Sequence, residues 1–212
     1  MIITRRRLFG ILSALIARPS RAAEQNETGR SSRAVIVFVG SSIFHRWTNL
    51  ANQMAPLPVL NRAIDGLQTA DLLRILDSDV LPVRPKVIAY YCGSNDIDAG
   101  EPVAAIFDRI RQFVVRVGAA LPDSRIVFVS ISRAPEKRDR WNVVDAVNHQ
   151  VEAYAAETTH LQYVDVNPIL FNRDGTPRLE LYVSDQLHFR PAAYEELARI
   201  LKPVLTKAFD TH

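Results

Sequence analysis

The sequence predicts an α/β protein: a three-layer α/β/α sandwich built on a five-stranded parallel sheet. Two observations carry that prediction. Short apolar runs rich in β-formers alternate with longer segments whose apolar residues recur at helical spacing, the pattern of strands joined by helical crossovers. In addition, 212 residues with 48% hydrophobic and 23% charged side chains suffice for one buried core and do not have the composition of a disordered chain.

The elements follow in order. Residues 1–22 begin with Thr4-Arg5-Arg6-Arg7-Leu8-Phe9, continue through an apolar stretch about half a membrane span long, and end on Ser20-Arg21-Ala22. This reads as a cleaved twin-arginine signal peptide, which implies export of a folded protein to a bacterial periplasm and no membrane span once the leader is removed; an uncleaved membrane anchor and a disordered basic leader are the alternatives. Residues 23–33 have no apolar periodicity and read as a linker to one domain over 34–210. Strands are expected at 34–39, 58–61, 87–91, 126–130 and 162–166. Helices are expected at 69–80 and 102–119, where Leu72, Leu73, Leu76 and then Ile106, Ile110, Phe113 and Val117 share a face, and again at 140–158 and 191–209. Pro102 and Pro191 suit a first helical turn, where a missing N–H costs little.

Charge and cysteine content exclude several classes. The whole chain has 26 Lys and Arg against 23 Asp and Glu, but the leader contains five arginines and no acid, so the remainder carries 21 basic and 23 acidic residues. A nucleic-acid partner is therefore not expected. Cys92 is the only cysteine, so no internal disulfide can form, and its place after Ala89-Tyr90-Tyr91 predicts a buried strand residue. No His/Cys/Asp cluster has metal-ligand spacing, and neither metal nor cofactor is expected.

Three segments follow predicted strands and should meet at the carboxyl edge of the sheet, where ligands of such folds bind. They are Gly40-Ser41-Ser42, Asn61 to Gly66, and Gly93-Ser94-Asn95-Asp96. Near the C-terminus comes Asp185-Gln186-Leu187-His188. In this order the four blocks resemble those of the SGNH, or GDSL-like, hydrolase superfamily: Ser42 matches its signature serine, Gly66 its glycine, Asn95 its asparagine, and His188 with Asp185 its last block. The resemblance runs from residue 34 to about 205. It implies a flavodoxin-like hydrolase fold and an esterase, lipase-like acylhydrolase or carbohydrate deacetylase. Ser41 stands where the family motif usually has aspartate, Ile43 where it has leucine, and Ala63 where many relatives have glycine. The Gly-Ser-Ser start and the Pro85-Lys86-Val87-Ile88 strand entry look closest to the platelet-activating-factor acetylhydrolase-like branch, which favours small acyl groups.

The chemistry of the residue types agrees with the roles the resemblance implies. A serine hydroxyl needs a base within hydrogen-bond reach. His188 is that base, and Asp185 can fold back to accept the His188 Nδ1 proton and fix the tautomer. The backbone N–H groups of Ser42 and Gly66 and the side-chain amide of Asn95 would form the oxyanion hole. The expected partner is a small-molecule, glycan or lipid ester, hydrolysed through an acyl-enzyme. An acyltransferase using the same intermediate and a non-catalytic polysaccharide-binding module are the alternatives.

Each residue alone has a plainer reading. A serine after a strand is most often a helix cap. An Asn-Asp pair is most often a turn former, and Asp-x-x-His a local hydrogen bond. Their joint occurrence in family order favours catalysis. His45, one turn beyond Ser42, is a candidate substrate contact. Phe44 and Trp47 are candidates for an acyl pocket or for core. The charged stretch Arg133 to Trp141 reads first as a solvated loop capped by a buried Trp141, and second as a substrate wall.

Overall fold

A computed structural model describes residues 35–211. The expected signal peptide and linker lie outside the described residues. The sheet has five parallel strands in the order β2-β1-β3-β4-β5: β1 Ile36–Gly40, β2 Val59–Asn61, β3 Val87–Tyr91, β4 Arg125–Val129 and β5 Leu161–Val164. Ile36 pairs with both Val59 and Val87, and Gly40 with Tyr91, so β1 lies inside the sheet. Buried on both faces, β1 reads as an unbroken apolar run, as parallel strands do.

Alternation along the strands divides the core in two. Ile36, Phe38, Ala89, Tyr91 and Val127 face the C-terminal helix α7, Pro191–Asp210, which contributes Tyr194, Leu197, Leu201 and Leu205. Val37, Val39, Ile88, Tyr90, Ile126 and Phe128 face the opposite way, toward α3 (Thr69–Ile75), α5 (Val103–Ala120) and α6 (Trp141–Ala156). On α5 the stripe Ile106, Ile110, Phe113, Val114 and Val117 is buried at helical spacing. Three short helices lie at the carboxyl edge or beside it: α1 Ser42–His45, α2 Leu50–Met54 and α4 Ser94–Asp98.

The structure changes some expected boundaries. The helix expected over 69–80 stops being α-helical at Ile75, widens into a π turn over Leu76–Val80, and tightens into a 3-10 turn over Leu81–Val83. There the Ser78 hydroxyl bonds back to the Ile75 carbonyl, and Pro82 offers no N–H to continue the ladder. Pro102 caps α5 from outside, whereas Pro191 does occupy the first turn of α7. Cys92 is fully buried, and burial raises its thiol pKa well above the ordinary value.

The loop from Arg133 to Trp141 is not the solvated segment expected. Ala134 is fully buried, Lys137 is 2% exposed, and residues 135–140 form a 3-10 turn bonded to α4, while Trp141 is only half-buried. Among the described residues, no helix is long and apolar enough to cross a membrane.

Candidate active site

The site is assembled where β1 and β3 end. Gly40 has φ +133°, and a Cβ placed on it would lie 1.8 Å from the Tyr91 carbonyl oxygen, so only glycine lets β1 finish against β3. The next N–H, that of Ser41, donates to that same carbonyl at 3.0 Å. The Ser41 carbonyl then accepts the N–H groups of Phe44 and His45, which starts α1 with Ser42 as its first residue. The Ser42 N–H therefore belongs to the helical first turn, whose donors have no intrahelical partner.

Ser42, His188 and Asp185 form a hydrogen-bonded series. The Ser42 hydroxyl donates to His188 Nε2 at 3.0 Å, and His188 Nδ1 donates to Asp185 Oδ2 at 2.6 Å. The other Asp185 oxygen accepts the backbone N–H groups of Leu187 and His188, each at 2.9 Å, so the carboxylate is held by the turn it belongs to. Burial pushes the Asp185 carboxyl up, but the bonds from the His188 ring and from the two backbone N–H groups together outweigh it and bring the pKa down to about 2. An Asp185 ionised at neutral pH keeps the proton on Nδ1, leaving Nε2 to accept from serine.

Gly66 stands on the loop after β2 and Asn95 on α4, the short helix after β3. After β2 the chain runs on beside β1, with Arg62 N–H donating to Phe38 O and Ile64 N–H to Gly40 O, and then turns at Gly66 with φ +74°. A Cβ there would meet nothing within 4 Å, so what requires glycine at this position is the left-handed backbone. Asn95 is the second residue of α4; its NH₂ donates one hydrogen to the Leu67 carbonyl at 3.0 Å, which aligns it with the Gly66 loop and leaves its second hydrogen for a ligand.

Several supporting residues escaped the sequence reading. Asn61 donates to the Phe44 carbonyl at 2.6 Å and accepts the Ala63 N–H at 3.0 Å. Arg46 grips Asp65 through two bonds of 3.2 and 2.8 Å, and that contact lowers the Asp65 pKa below its usual value. His45 Nδ1 donates to the Ala63 carbonyl at 2.9 Å, so this exposed histidine also serves the loop. Together these contacts clamp the loop bearing Gly66 to the helix bearing Ser42. Next to Asn95, the fully buried Asp96 accepts the Thr69 N–H at the start of α3. Of these, His45 is expected from the sequence as a substrate contact and Asn61 and Asp96 lie within the blocks at the ends of β2 and β3, whereas Arg46 and Thr69 carried no signal.

Phe44 and Trp47 are core residues: Phe44 packs on Phe38 and Tyr91, and Trp47 on Phe38 and Tyr194. His149 is exposed on α6, and the His160 ring lies against Gly118. Neither is near the site.

A hydroxyl, an imidazole and a carboxylate in this series can carry out acyl transfer. The fold is shared with solved structures. A GDSL-like lipase from Bacteroides thetaiotaomicron is 20% identical with a TM-score of 0.73, the match covering 89% of this chain and 97% of that one. A lipase/acylhydrolase from Enterococcus faecalis is also 20% identical, with a TM-score of 0.70 and coverage of 82% and 96%. An acetyl-xylooligosaccharide esterase variant from Geobacillus stearmophilus is 17% identical, with a TM-score of 0.68 and coverage of 85% and 95%. A search of curated protein sequences found no match. The family model of the GDSL-like lipases and acylhydrolases matches residues 27–196, most of the chain and every block of the site, and the protein belongs to that family.

Proposed function

We propose that the protein is a serine esterase that hydrolyses carboxylic esters of short acyl groups, acetyl above all, through an acyl-enzyme on Ser42. The observation that carries this reading is the series Ser42–His188–Asp185, closed at 3.0 and 2.6 Å. Ser42 Oγ attacks the ester carbonyl carbon while His188 Nε2 takes the hydroxyl proton. The resulting oxyanion faces the N–H groups of Ser42 and Gly66 and the Asn95 amide. Collapse breaks the bond to the alcohol, which leaves with the proton from His188. Water then attacks the acyl-enzyme, gives its proton to His188, and releases the carboxylic acid as Ser42 recovers its hydrogen.

The preference for short acyl groups is supported by the rings of Phe44 and Trp47, which are packed into the core and do not line a channel beneath the nucleophile. Because one structural neighbour is an acetyl-xylooligosaccharide esterase, acetylated sugars belong beside p-nitrophenyl acetate in the first substrate panel. The expected result is covalent labelling of Ser42 by a fluorophosphonate, with turnover of p-nitrophenyl acetate that disappears in Ser42→Ala and His188→Ala. A folded protein that neither labels nor cleaves any short acyl ester overturns the reading.

A further inference from the structure

Lys137 is an anomaly for a cation: its side chain is 2% exposed, on the 3-10 turn of residues 135–140. Burying an ammonium is costly unless it is paired and hydrogen-bonded, and packing alone would be served by an apolar side chain of similar length. Its partners show what the charge does. Lys137 Nζ donates to the Asp98 carboxylate and, at 3.3 Å, to the Ser94 carbonyl. Glu136 lies 4.0 Å away. Ser94 and Asp98 are the two ends of α4, and the Ser94 carbonyl belongs to the peptide group that joins Ser94 to Asn95.

A five-residue helix has almost no stability of its own, so the orientation of Asn95 depends on what holds α4. From the same 3-10 turn, Arg140 donates to the Ile97 carbonyl at 2.7 Å. Also from that turn, the Glu136 N–H donates at 3.3 Å to the carbonyl of Gln186, which stands between Asp185 and His188. One loop thus reaches the amide of the oxyanion site on one side and the acid–base turn on the other.

We propose that Lys137 is a positioning residue: it fixes the Ser94–Asn95 peptide so that the Asn95 amide is held ready for the oxyanion. The proposal rests on the reading of Ser42 as nucleophile and Asn95 as oxyanion donor. Because an oxyanion donor acts on the transition state, Lys137→Met should lower kcat about tenfold to a hundredfold and leave KM nearly unchanged. A double-mutant cycle separates positioning from general support. Asn95→Ala alone should cost about a hundredfold to a thousandfold in kcat, and adding Lys137→Met to it should cost less than about threefold more.

The cycle is run on purified full-domain protein with p-nitrophenyl acetate, and a thermal melt of each variant confirms folding. Equal kcat losses from Lys137→Met in the wild-type and Asn95→Ala backgrounds overturn the proposal, as does a folded Lys137→Met with wild-type kcat. If Lys137→Met does not fold, Asp98→Asn weakens the same pin from a half-exposed position, and the same cycle with it must again be non-additive. Absence of Ser42 labelling in the wild type would instead overturn the esterase reading, so the two failures are distinguishable.

Discussion

Asp185 carries the clearest pH signature in the molecule. Its carboxyl is held down to about 2 by the bonds it accepts from His188 and Leu187, against about 3.9 for an unperturbed aspartate. A carboxyl depressed by folding stabilises the protein above the unfolded pKa, and that contribution is lost as the pH falls through the folded value. The stability gap between wild type and Asp185→Asn should therefore be constant above about pH 5 and shrink between about pH 4 and pH 2. Because the side chain is nearly half exposed, screening keeps the gap small. Urea midpoints of both proteins at about pH 6 and about pH 2.5 measure it; a gap that stays constant or widens on acidification would show that the turn does not hold an ionised Asp185. This residue and its histidine were legible in the sequence because they are neighbours: Asp-x-x-His spacing alone allows the turn that binds them. Gly66 was legible as a position but not as a reason, since its positive φ is a property of the folded loop.

The elements were read correctly where a periodic apolar pattern runs long. On α7 the reading passed through Pro203 and the helix does too, because Pro203 faces solvent while Leu197, Leu201 and Leu205 hold the buried face. Short elements left no such trace: α1, α2 and α4 are four or five residues each, shorter than the window in which helical spacing can be recognised. These are the pieces that carry Ser42 and Asn95, so the functional elements were the ones least visible by periodicity and most visible by motif. What fixes α1 in place is the end of β1. Gly40→Ala would drive a methyl group into the Tyr91 carbonyl at a φ of +133°, and neither β1 nor β3 can retreat from the centre of the sheet. A cost of about 3 kcal/mol or more is expected. Chemical denaturation should show it as a lower midpoint with an unchanged slope; a midpoint within about 0.5 kcal/mol of wild type would mean that the strand end is free to shift.

Across the whole molecule, the parallel sheet and the gathering of the blocks at its carboxyl edge followed from α/β alternation, whereas the strand order and the burial of Lys137 did not. A run of charged residues has the same appearance in sequence whether it faces water or an internal carbonyl, and only long-range contacts decide. The same distinction bears on the proposed substrate. Two residues on from Ser42, the buried Phe44 ring packs on Phe38, Trp47 and Tyr91, and Phe38 packs on Trp47. Beside the Asp185–His188 turn, by contrast, lies a groove of about 510 Å³ lined by Pro135, Arg138, Thr176, Pro177, Leu179 and Gln186. That volume is within the range of small-ligand sites, and Gln186 in its wall stands between Asp185 and His188. On the proposed esterase reading, this asymmetry predicts a small acyl group on a large alcohol. With p-nitrophenyl esters, kcat/KM should fall steadily from acetate through butyrate to octanoate, because each added methylene has to stay in water or displace packed core. Acetylated disaccharides should in turn be cleaved at least as well as acetylated monosaccharides. A rate that rises with acyl length would place an apolar channel beside Ser42 and reverse the assignment of the two ends of the substrate.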